Sequence, residues 1–165
     1  MRKNILLILI LFSAISMFSQ EQITTYYLIR HAEKERTNTE NSNPKLNQEG
    51  LKRAKKWSKI FSNVDFDAVY STAYARTIET ATPTAQGLNL EIQIYNPQKL
   101  YDAKFQKDTK GQTVLIVGHS NTTPLFVNKI IKEEKYNPMN DENNSNLYIT
   151  TVTKDLRTCV LLKID

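Results

Sequence analysis

The stretch "YYLIRHAEK" (Tyr26–Lys34) joins an apolar run to an adjacent arginine and histidine, Arg30 and His31. The chain has only two histidines, and the second, His119, lies in "TVLIVGHSNTTP", again directly after an apolar run. Runs of Val, Ile, Thr and Tyr of this length predict β-strands. The two histidines therefore indicate one site, formed where two strands end.

Strands and helices alternate along the predicted chain. Strands are predicted at 23–29, 66–71, 90–95 and 113–118, and helices at 47–61, 72–88, 97–111 and 122–132. A hairpin that turns near Lys154–Asp155 ends the chain. This alternation predicts a three-layer α/β/α sandwich with a mainly parallel central sheet.

Local signals define several helix ends. Asn47 is a predicted cap, with Leu46 and Leu51 at the positions of a hydrophobic staple. The second helix is expected to be bent or interrupted near Pro83 and to stop at Gly87. In the fourth, Thr122 or Thr123 is the expected cap and Pro124 lies in the first turn. Trp57 falls on the apolar face of the first helix and is predicted to be core.

Residues 1–19 have the pattern of a secretory signal peptide, with a basic start (Arg2, Lys3) and an apolar run over 5–12. The run is shorter than the ~20 residues of a membrane span. No cysteine lies near its end, which argues against lipid attachment. We therefore expect an exported protein, periplasmic or secreted, with one domain over 20–165 and no membrane contact after cleavage. An uncleaved N-terminal anchor is the alternative.

The composition argues against several kinds of protein. Without Arg2 and Lys3 the formal charge falls from +5 to +3, with 20 basic and 17 acidic residues. Much of the basic charge lies in "GLKRAKKWSK", which is typical of a solvated helix face. A nucleic-acid partner is therefore not expected. Cys159 is the single cysteine, so neither an intrachain disulfide nor a cysteine-rich metal site is predicted.

The predicted topology brings four basic side chains to one edge of the sheet. Ligands of open α/β sheets bind beyond the carboxyl ends of the strands. Arg30, His31 and His119 stand at such ends, and Arg76 lies in the first turns of the helix after a third strand. Arginine holds phosphate oxygens with a planar fork of donors, and a neutral histidine can attack phosphorus. A phosphoryl group is the expected ligand.

Three motifs extend this interpretation. "LIRHAEK", "YSTAYARTIETA" and "VGHSNTTP" occur in the order and surroundings that resemble the histidine phosphatase superfamily, whose fold is phosphoglycerate mutase-like. The likeness covers essentially the whole mature chain and is that of a small, exported bacterial-type member. It implies that His31 is the nucleophile that becomes phosphorylated, and that Arg30, Arg76 and His119 complete the phosphate pocket.

The resemblance also implies secondary roles. Ser120 and Asn121 are expected to reach the phosphate, and Glu33 to orient its neighbours. Larger members carry a carboxylic acid after the second motif that protonates the leaving group. Asp102, Asp141 and Glu142 are the candidates for this acid here, and the sequence does not choose among them.

The expected activity is hydrolysis of a phosphorylated small molecule without metal or cofactor. A phosphoglycerate-type mutase is an alternative, although the chain lacks the long insertions that close such a cavity. A phosphate-binding module without turnover is another. "GHSNT" lacks the final glycine of a serine-hydrolase motif. A metal site is disfavoured because two arginines would repel a cation and no third ligand is evident.

Overall fold

One mixed sheet of six strands forms the centre of the computed structural model, which describes residues 22–164. The predicted signal peptide lies outside the described residues. The strands are β1 (Thr24–Arg30), β2 (Ala68–Ser71), β3 (Ile92–Ile94), β4 (Thr113–Gly118), β5 (Asn146–Val152) and β6 (Arg157–Lys163). Their order across the sheet is β3-β2-β4-β1-β5-β6.

Four helices connect these strands within the described part of the chain. They are α1 (Gln48–Ile60), α2 (Ala75–Gly87), α3 (Ala103–Asp108) and α4 (Thr122–Ile131). Between residues 22 and 164, no helix combines the length and the apolar character needed to cross a membrane.

The prediction of a mainly parallel sheet is confirmed. Strands β3, β2, β4 and β1 run parallel, whereas β5 pairs antiparallel with β1 and β6 pairs antiparallel with β5 at the sheet edge. Arg30 pairs with Gly118 in the register of β1 and β4. The residues that follow these two strands, His31 and His119, therefore lie side by side.

Helices cover both faces of the sheet, because alternate strand residues point to opposite sides. Tyr26, Leu28 and Ile116 belong to one apolar cluster, which contains Phe105 of α3 and Phe126 of α4. The intervening strand residues belong to a second cluster, which includes the following side chains of β1, β4, α1 and α2: Ile29, Leu115, Val117, Trp57, Ala81 and Ala85. The three-layer α/β/α prediction is confirmed.

Helix α1 begins as the sequence predicts, except for its staple. The Asn47 side chain accepts a hydrogen bond from the Gly50 backbone N–H at 2.9 Å. Trp57 is buried. Leu46 is also buried, but it packs with Ala32 and Ala54, whereas Leu51 is 41% exposed. The staple prediction is wrong because the segment after β1 takes the place beside Leu46.

The other helices differ from prediction at their ends. Asn121, not Thr122 or Thr123, caps α4, and Pro124 lies in its first turn as expected. Helix α2 runs through Pro83 as one element, although proline cannot donate a backbone hydrogen bond there. Helix α3 is shorter than the predicted 97–111, because the preceding Tyr101 has a positive φ of 52°.

Candidate active site

The two imidazoles lie together at the carboxyl edge of the sheet. The backbone N–H of His31 donates a hydrogen bond to the Gly118 carbonyl oxygen at 2.9 Å, which continues the β1–β4 pairing by one residue. The ring centroids of His31 and His119 are 5.6 Å apart. Strand β2 ends beside them, and α2 then brings in Arg76. The predicted convergence of three strand ends is therefore observed.

The environment of His31 defines which ring nitrogen can react. The residue is 4% exposed, and its Nδ1 lies 2.7 Å from the Ala32 carbonyl oxygen. A carbonyl only accepts, so Nδ1 carries the hydrogen and Nε2 keeps its lone pair. Burial, together with the charges of Arg30 and Arg76, lowers the pKa of His31 to about 3. The ring is thus neutral near pH 7.

His119 has the opposite tautomer. The guanidinium of Arg76 lies 3.5 Å from Nδ1 and can only donate, so Nδ1 accepts and Nε2 carries the hydrogen. Nε2 then donates to the Thr72 hydroxyl at 2.9 Å. The Thr72 hydroxyl in turn donates to that of Thr77, whose own hydrogen is directed to backbone carbonyls. Burial, with the charge of Arg76, lowers the pKa of His119 to about 4.

Arg76 presents unused donors. Its guanidinium carbon lies 4.4 Å from the centroid of the Tyr74 ring, and Tyr74 also contacts the edge of His119 at 5.1 Å between centroids. The Nε and Nη1 atoms of Arg76 are buried and have no partner among the described residues. Unsatisfied buried donors of a cation are costly, so this guanidinium is suited to an anionic ligand.

Arg30 is bound differently. Its Nη1 donates to the carbonyl oxygens of Asn140 (3.1 Å), Asp141 (2.8 Å) and Asn143 (3.1 Å). Its Nη2 forms an ion pair with the Asp141 carboxylate. Only Nε of this guanidinium is without a partner among the described residues. Arg30 therefore fixes the loop at 140–143 and retains one donor for a ligand.

These side chains surround a cavity of about 490 Å³, which we call the histidine cavity. Its lining comprises Arg30, His31, Lys34, Tyr74, Arg76, Pro97, His119, Ser120, Asn121, Thr122 and Asp141. The predicted residues Ser120 and Asn121 are thus at the site. The Asn121 side-chain oxygen accepts from the Thr122 N–H at 2.9 Å, so its position also serves the start of α4.

Two of the three candidate acids lie away from the histidine cavity. The Asp102 carboxylate caps α3 by accepting from the Phe105 N–H at 2.8 Å, and it lines a separate cavity beside Tyr70. Glu142 lines neighbouring cavities but not the one with the histidines. The structure therefore places neither carboxylate where a leaving group would depart from His31.

Asp141 lines the histidine cavity, but its environment opposes proton donation. Its carboxylate accepts hydrogen bonds from the guanidiniums of Arg36 and Arg30. These bonds hold the pKa of Asp141 well below its ordinary value. At neutral pH this carboxyl is ionised and has no proton to give.

Glu33 fixes the segment after His31 rather than lining the histidine cavity. The Nε atom of Arg53 in α1 donates to both of its carboxylate oxygens, at 2.8 and 3.0 Å. The Asn47 backbone N–H donates to the Glu33 carbonyl at 3.0 Å. These contacts tie α1 to the chain two residues beyond His31, and the orienting role of Glu33 stays a prediction.

Three further residues of the site were not predicted from the sequence. Lys34 lines the histidine cavity, Tyr74 packs on Arg76, and Thr72 holds His119. Two of them could have been identified from the sequence, because Lys34 lies in "YYLIRHAEK" and Thr72 directly follows β2. In the described part of the chain, no group of three or more His, Cys, Asp and Glu side chains is arranged to hold a metal ion.

Comparisons with known proteins agree with this geometry. Residues 26–97, which include Arg30, His31 and Arg76, match the model of the "Histidine phosphatase superfamily (branch 1)". No curated protein sequence matches the chain. Similarity to solved structures is extensive and covers most of both chains.

Three of these structures illustrate the likeness. The protein histidine phosphatase SixA complexed with tungstate has a TM-score of 0.67 and 14% identity, over 84% of this chain and 96% of that one. The phosphoglycerate mutase of Bacillus anthracis has a TM-score of 0.65 and 14% identity, over 86% and 93%. The alpha-ribazole phosphatase of Shigella flexneri has a TM-score of 0.63 and 15% identity, over 84% and 96%.

At these identities the structural neighbours establish the fold. The six-stranded mixed sheet with helices on both faces is the phosphoglycerate mutase-like fold of histidine phosphatases. Over residues 26–97 the chain is similar to the histidine phosphatase superfamily, and the neighbouring structures share its fold.

Proposed function

We propose that this chain is a phosphatase that hydrolyses a phosphomonoester or a similar phosphorylated small molecule through a phosphohistidine on His31. One observation carries the proposal. The Nε2 lone pair of a buried neutral His31 belongs to the same cavity as the unpartnered donors of Arg76. A nucleophile beside unused donors of a fixed cation is what phosphoryl transfer requires.

The reaction has two displacements at phosphorus. In the first, Nε2 of His31 attacks phosphorus, the bond from phosphorus to the leaving oxygen breaks, and the leaving group departs with that electron pair. In the second, water attacks phosphorus, the nitrogen–phosphorus bond breaks, and its electron pair returns to Nε2. Inorganic phosphate and one proton are released.

Arg76 and Arg30 stabilise the charge on the oxygens during both steps, through the donors that the protein leaves unpaired. His119 accepts at Nδ1 from Arg76, and it contributes a donor to phosphate only after taking up a proton. A phosphoryl dianion favours that protonation, because it places negative charge beside the ring.

The cavity favours substrates whose leaving group needs no proton. Among the described residues that line the histidine cavity, Asp141 is the one with a carboxyl group. Arg30 and Arg36 hold this carboxyl ionised. Aryl phosphates and phosphoramidates suit such a site better than alkyl esters. That tungstate, a phosphate-like oxyanion, is bound by a SixA of the same fold supports the proposed ligand class.

Trapping of the intermediate tests the proposal. We expect the purified protein to turn over an activated aryl phosphate and, with a ³²P-labelled substrate, to carry an acid-labile label. His31→Ala should abolish both signals, while Lys52→Ala, an exposed position on α1, should retain both. Turnover that survives in His31→Ala would contradict the mechanism, and an absence of turnover in the native chain would indicate a binding module.

The same assay tests whether a metal takes part. We expect the rate on the aryl phosphate to be unchanged after treatment with EDTA. The arginine side chains neutralise the negative charge of the phosphoryl oxygens, which is the role that a metal would otherwise have. The rate of the treated and untreated protein is compared before and after adding back Mg²⁺ or Zn²⁺. A loss with EDTA that either cation restores would overturn the metal-independent mechanism.

A further inference from the structure

Lys34 is the feature of the histidine cavity that the proposed mechanism does not use. It follows His31 by three residues, is half-buried, and lines the cavity. Its backbone forms an isolated bridge with Leu46, which fixes where the side chain leaves the main chain. No ion pair or side-chain hydrogen bond joins Lys34 to another described residue.

The other cations near the cavity are already engaged. Arg36 is paired with Asp141 at the rim, and Arg30 shares that carboxylate while it binds three backbone carbonyls. Arg76 lines the cavity with two unpartnered donors, which the proposed reaction assigns to the phosphoryl group. Lys34 is therefore the cation on the cavity lining to which the proposed reaction assigns no anion.

The balance of charge around the cavity also indicates that Lys34 lacks an anionic partner among the described residues. In the described part of the chain, four cations surround the cavity and its rim (Arg30, Lys34, Arg36 and Arg76) against the one carboxylate of Asp141. A phosphoryl group carries a charge of about −1.5 to −2 at neutral pH. With neutral histidines, roughly one positive charge is left without a counterpart. The nearby cations also lower the pKa of Lys34, second to its burial.

Neighbouring carboxylates among the described residues do not form an ion pair with Lys34. Glu33 is bound by Arg53 in α1, and Glu142 lines only the cavities outside the one with the histidines. Lys34 itself lines both the histidine cavity and the adjoining cavity that Arg36 borders. A substrate whose phosphoryl group lies against His31 would therefore meet Lys34 as it extends outward.

We propose that Lys34 is a specificity-determining residue that binds a second anionic group of the substrate, a carboxylate or a second phosphate close to the phosphoryl group. This inference rests on the proposed function and deepens it. It implies a small substrate with two acidic groups rather than a simple alcohol phosphate.

A comparison of matched aryl phosphates tests it. The measured quantity is kcat/KM for 2-, 3- and 4-carboxyphenyl phosphate divided by kcat/KM for phenyl phosphate, at fixed pH and ionic strength. Because each variant is compared with the native chain through this ratio, the different leaving groups cancel. We expect Lys34→Ala and Lys34→Gln to lower the ratio about three- to tenfold for at least one isomer.

Two further variants serve as controls. Lys34→Arg keeps the positive charge and should retain most of the native ratio. Lys52→Ala changes the net charge equally but lies on α1, paired with Glu49, and should leave the ratio unchanged. These variants separate a local contact from a general effect of charge on the association of anionic substrates.

Three outcomes would overturn the inference or its basis. A ratio that is the same in the native chain and both neutral variants, for all isomers, removes the second anion site. An equal loss on phenyl phosphate and on its carboxylated forms assigns Lys34 to the phosphoryl group instead. If the native chain hydrolyses none of these compounds, the proposed function itself fails, and this inference fails with it.

Discussion

Arg30 and Arg76 differ in how many of their donors the protein already uses. Arg30 binds three backbone carbonyls and one carboxylate, whereas two nitrogens of Arg76 are buried without a partner in the described structure. The same residue type thus has two physical roles within one cavity. Arg30 combines ligand contact with loop support, while Arg76 is available to the ligand.

This difference predicts separable effects of substitution. Arg76→Ala should lower kcat/KM on an aryl phosphate by about a hundredfold, the typical cost of losing one donor to the transition state. Arg30→Ala should do so as well and should also lower the free energy of unfolding by about 3 kcal/mol, because it leaves three backbone carbonyls without their partner and Asp141 with Arg36 alone. Kinetic assays and urea unfolding measure the two effects. Unchanged kinetics in the Arg76 variant would contradict the site.

At the residue scale, the sequence predicts which side chains reach the site better than it predicts their hydrogen-bond partners. The histidines and arginines stand next to strand ends, and that position is enough to bring them together. Asp102 is the nearest candidate acid by its place in the chain, yet its carboxylate caps α3. The tautomers of His31 and His119 depend on single contacts, to Ala32 and Arg76, that no local pattern encodes.

Helix α1 packs tightly against the segment after His31 at Gly50. A Cβ atom built there would lie 2.1 Å from the Glu33 carbonyl oxygen, which is backbone and cannot rotate away. Glu33 is two residues from His31, and its carboxylate also binds Arg53 of the same helix. The position of α1 and the position of the nucleophile are therefore coupled through this contact.

Gly50→Ala should reveal that coupling. In an ordinary helix the change from glycine to alanine stabilises by up to about 1 kcal/mol. Here we expect a loss of about 2 kcal/mol or more from the steric overlap, with a fall in activity as Glu33 shifts. Gly87→Ala is the matched control, because its Cβ would lie 3.7 Å from the Ser58 hydroxyl oxygen, an ordinary contact. A stabilised Gly50→Ala protein would contradict the close approach.

Element types are predictable here because their patterns agree with their burial. The apolar run of β4 is a strand buried from Val114 to Gly118, and α1 alternates wet and buried faces with helical spacing. Element ends were less predictable. The start of α3 depends on the positive φ of Tyr101, and the cap of α4 on the side chain of Asn121. Both are set by how the chain turns between packed elements.

At the scale of the whole molecule, the parallel order β2-β4-β1 brings the site together. Three strands that are distant in sequence end at one edge, so residues from 30 to 119 meet in a single cavity. The sequence predicted this convergence from the alternation of strands and helices. The contact by which the loop at 140–143 closes one side through Arg30 was not predicted, because the polar residues of this loop carry no periodic signal.

The fold buries His31 and His119 in their neutral form, and the stability of the whole molecule should therefore depend on pH. The pKa of His31 is lowered to about 3 and that of His119 to about 4, from an ordinary value of 6.5, chiefly by burial. Below pH 6.5 the unfolded chain therefore takes up protons that the folded chain does not. The free energy of unfolding should fall as the pH drops from about 6.5 towards 4, by at most about 1.4 kcal/mol per pH unit for each histidine.

Urea unfolding at about pH 7.5, 6.5 and 5.5 measures this slope. Asp141 does not contribute in this range, since its pKa is lowered from an ordinary value of 3.8 and its contribution is lost only below that pH. His119→Gln, which keeps a donor for Thr72, should reduce the slope by roughly half because one of the two titrating groups is removed. A stability that stays constant or rises as the solution is acidified over this range would show that the imidazoles are not held neutral by burial.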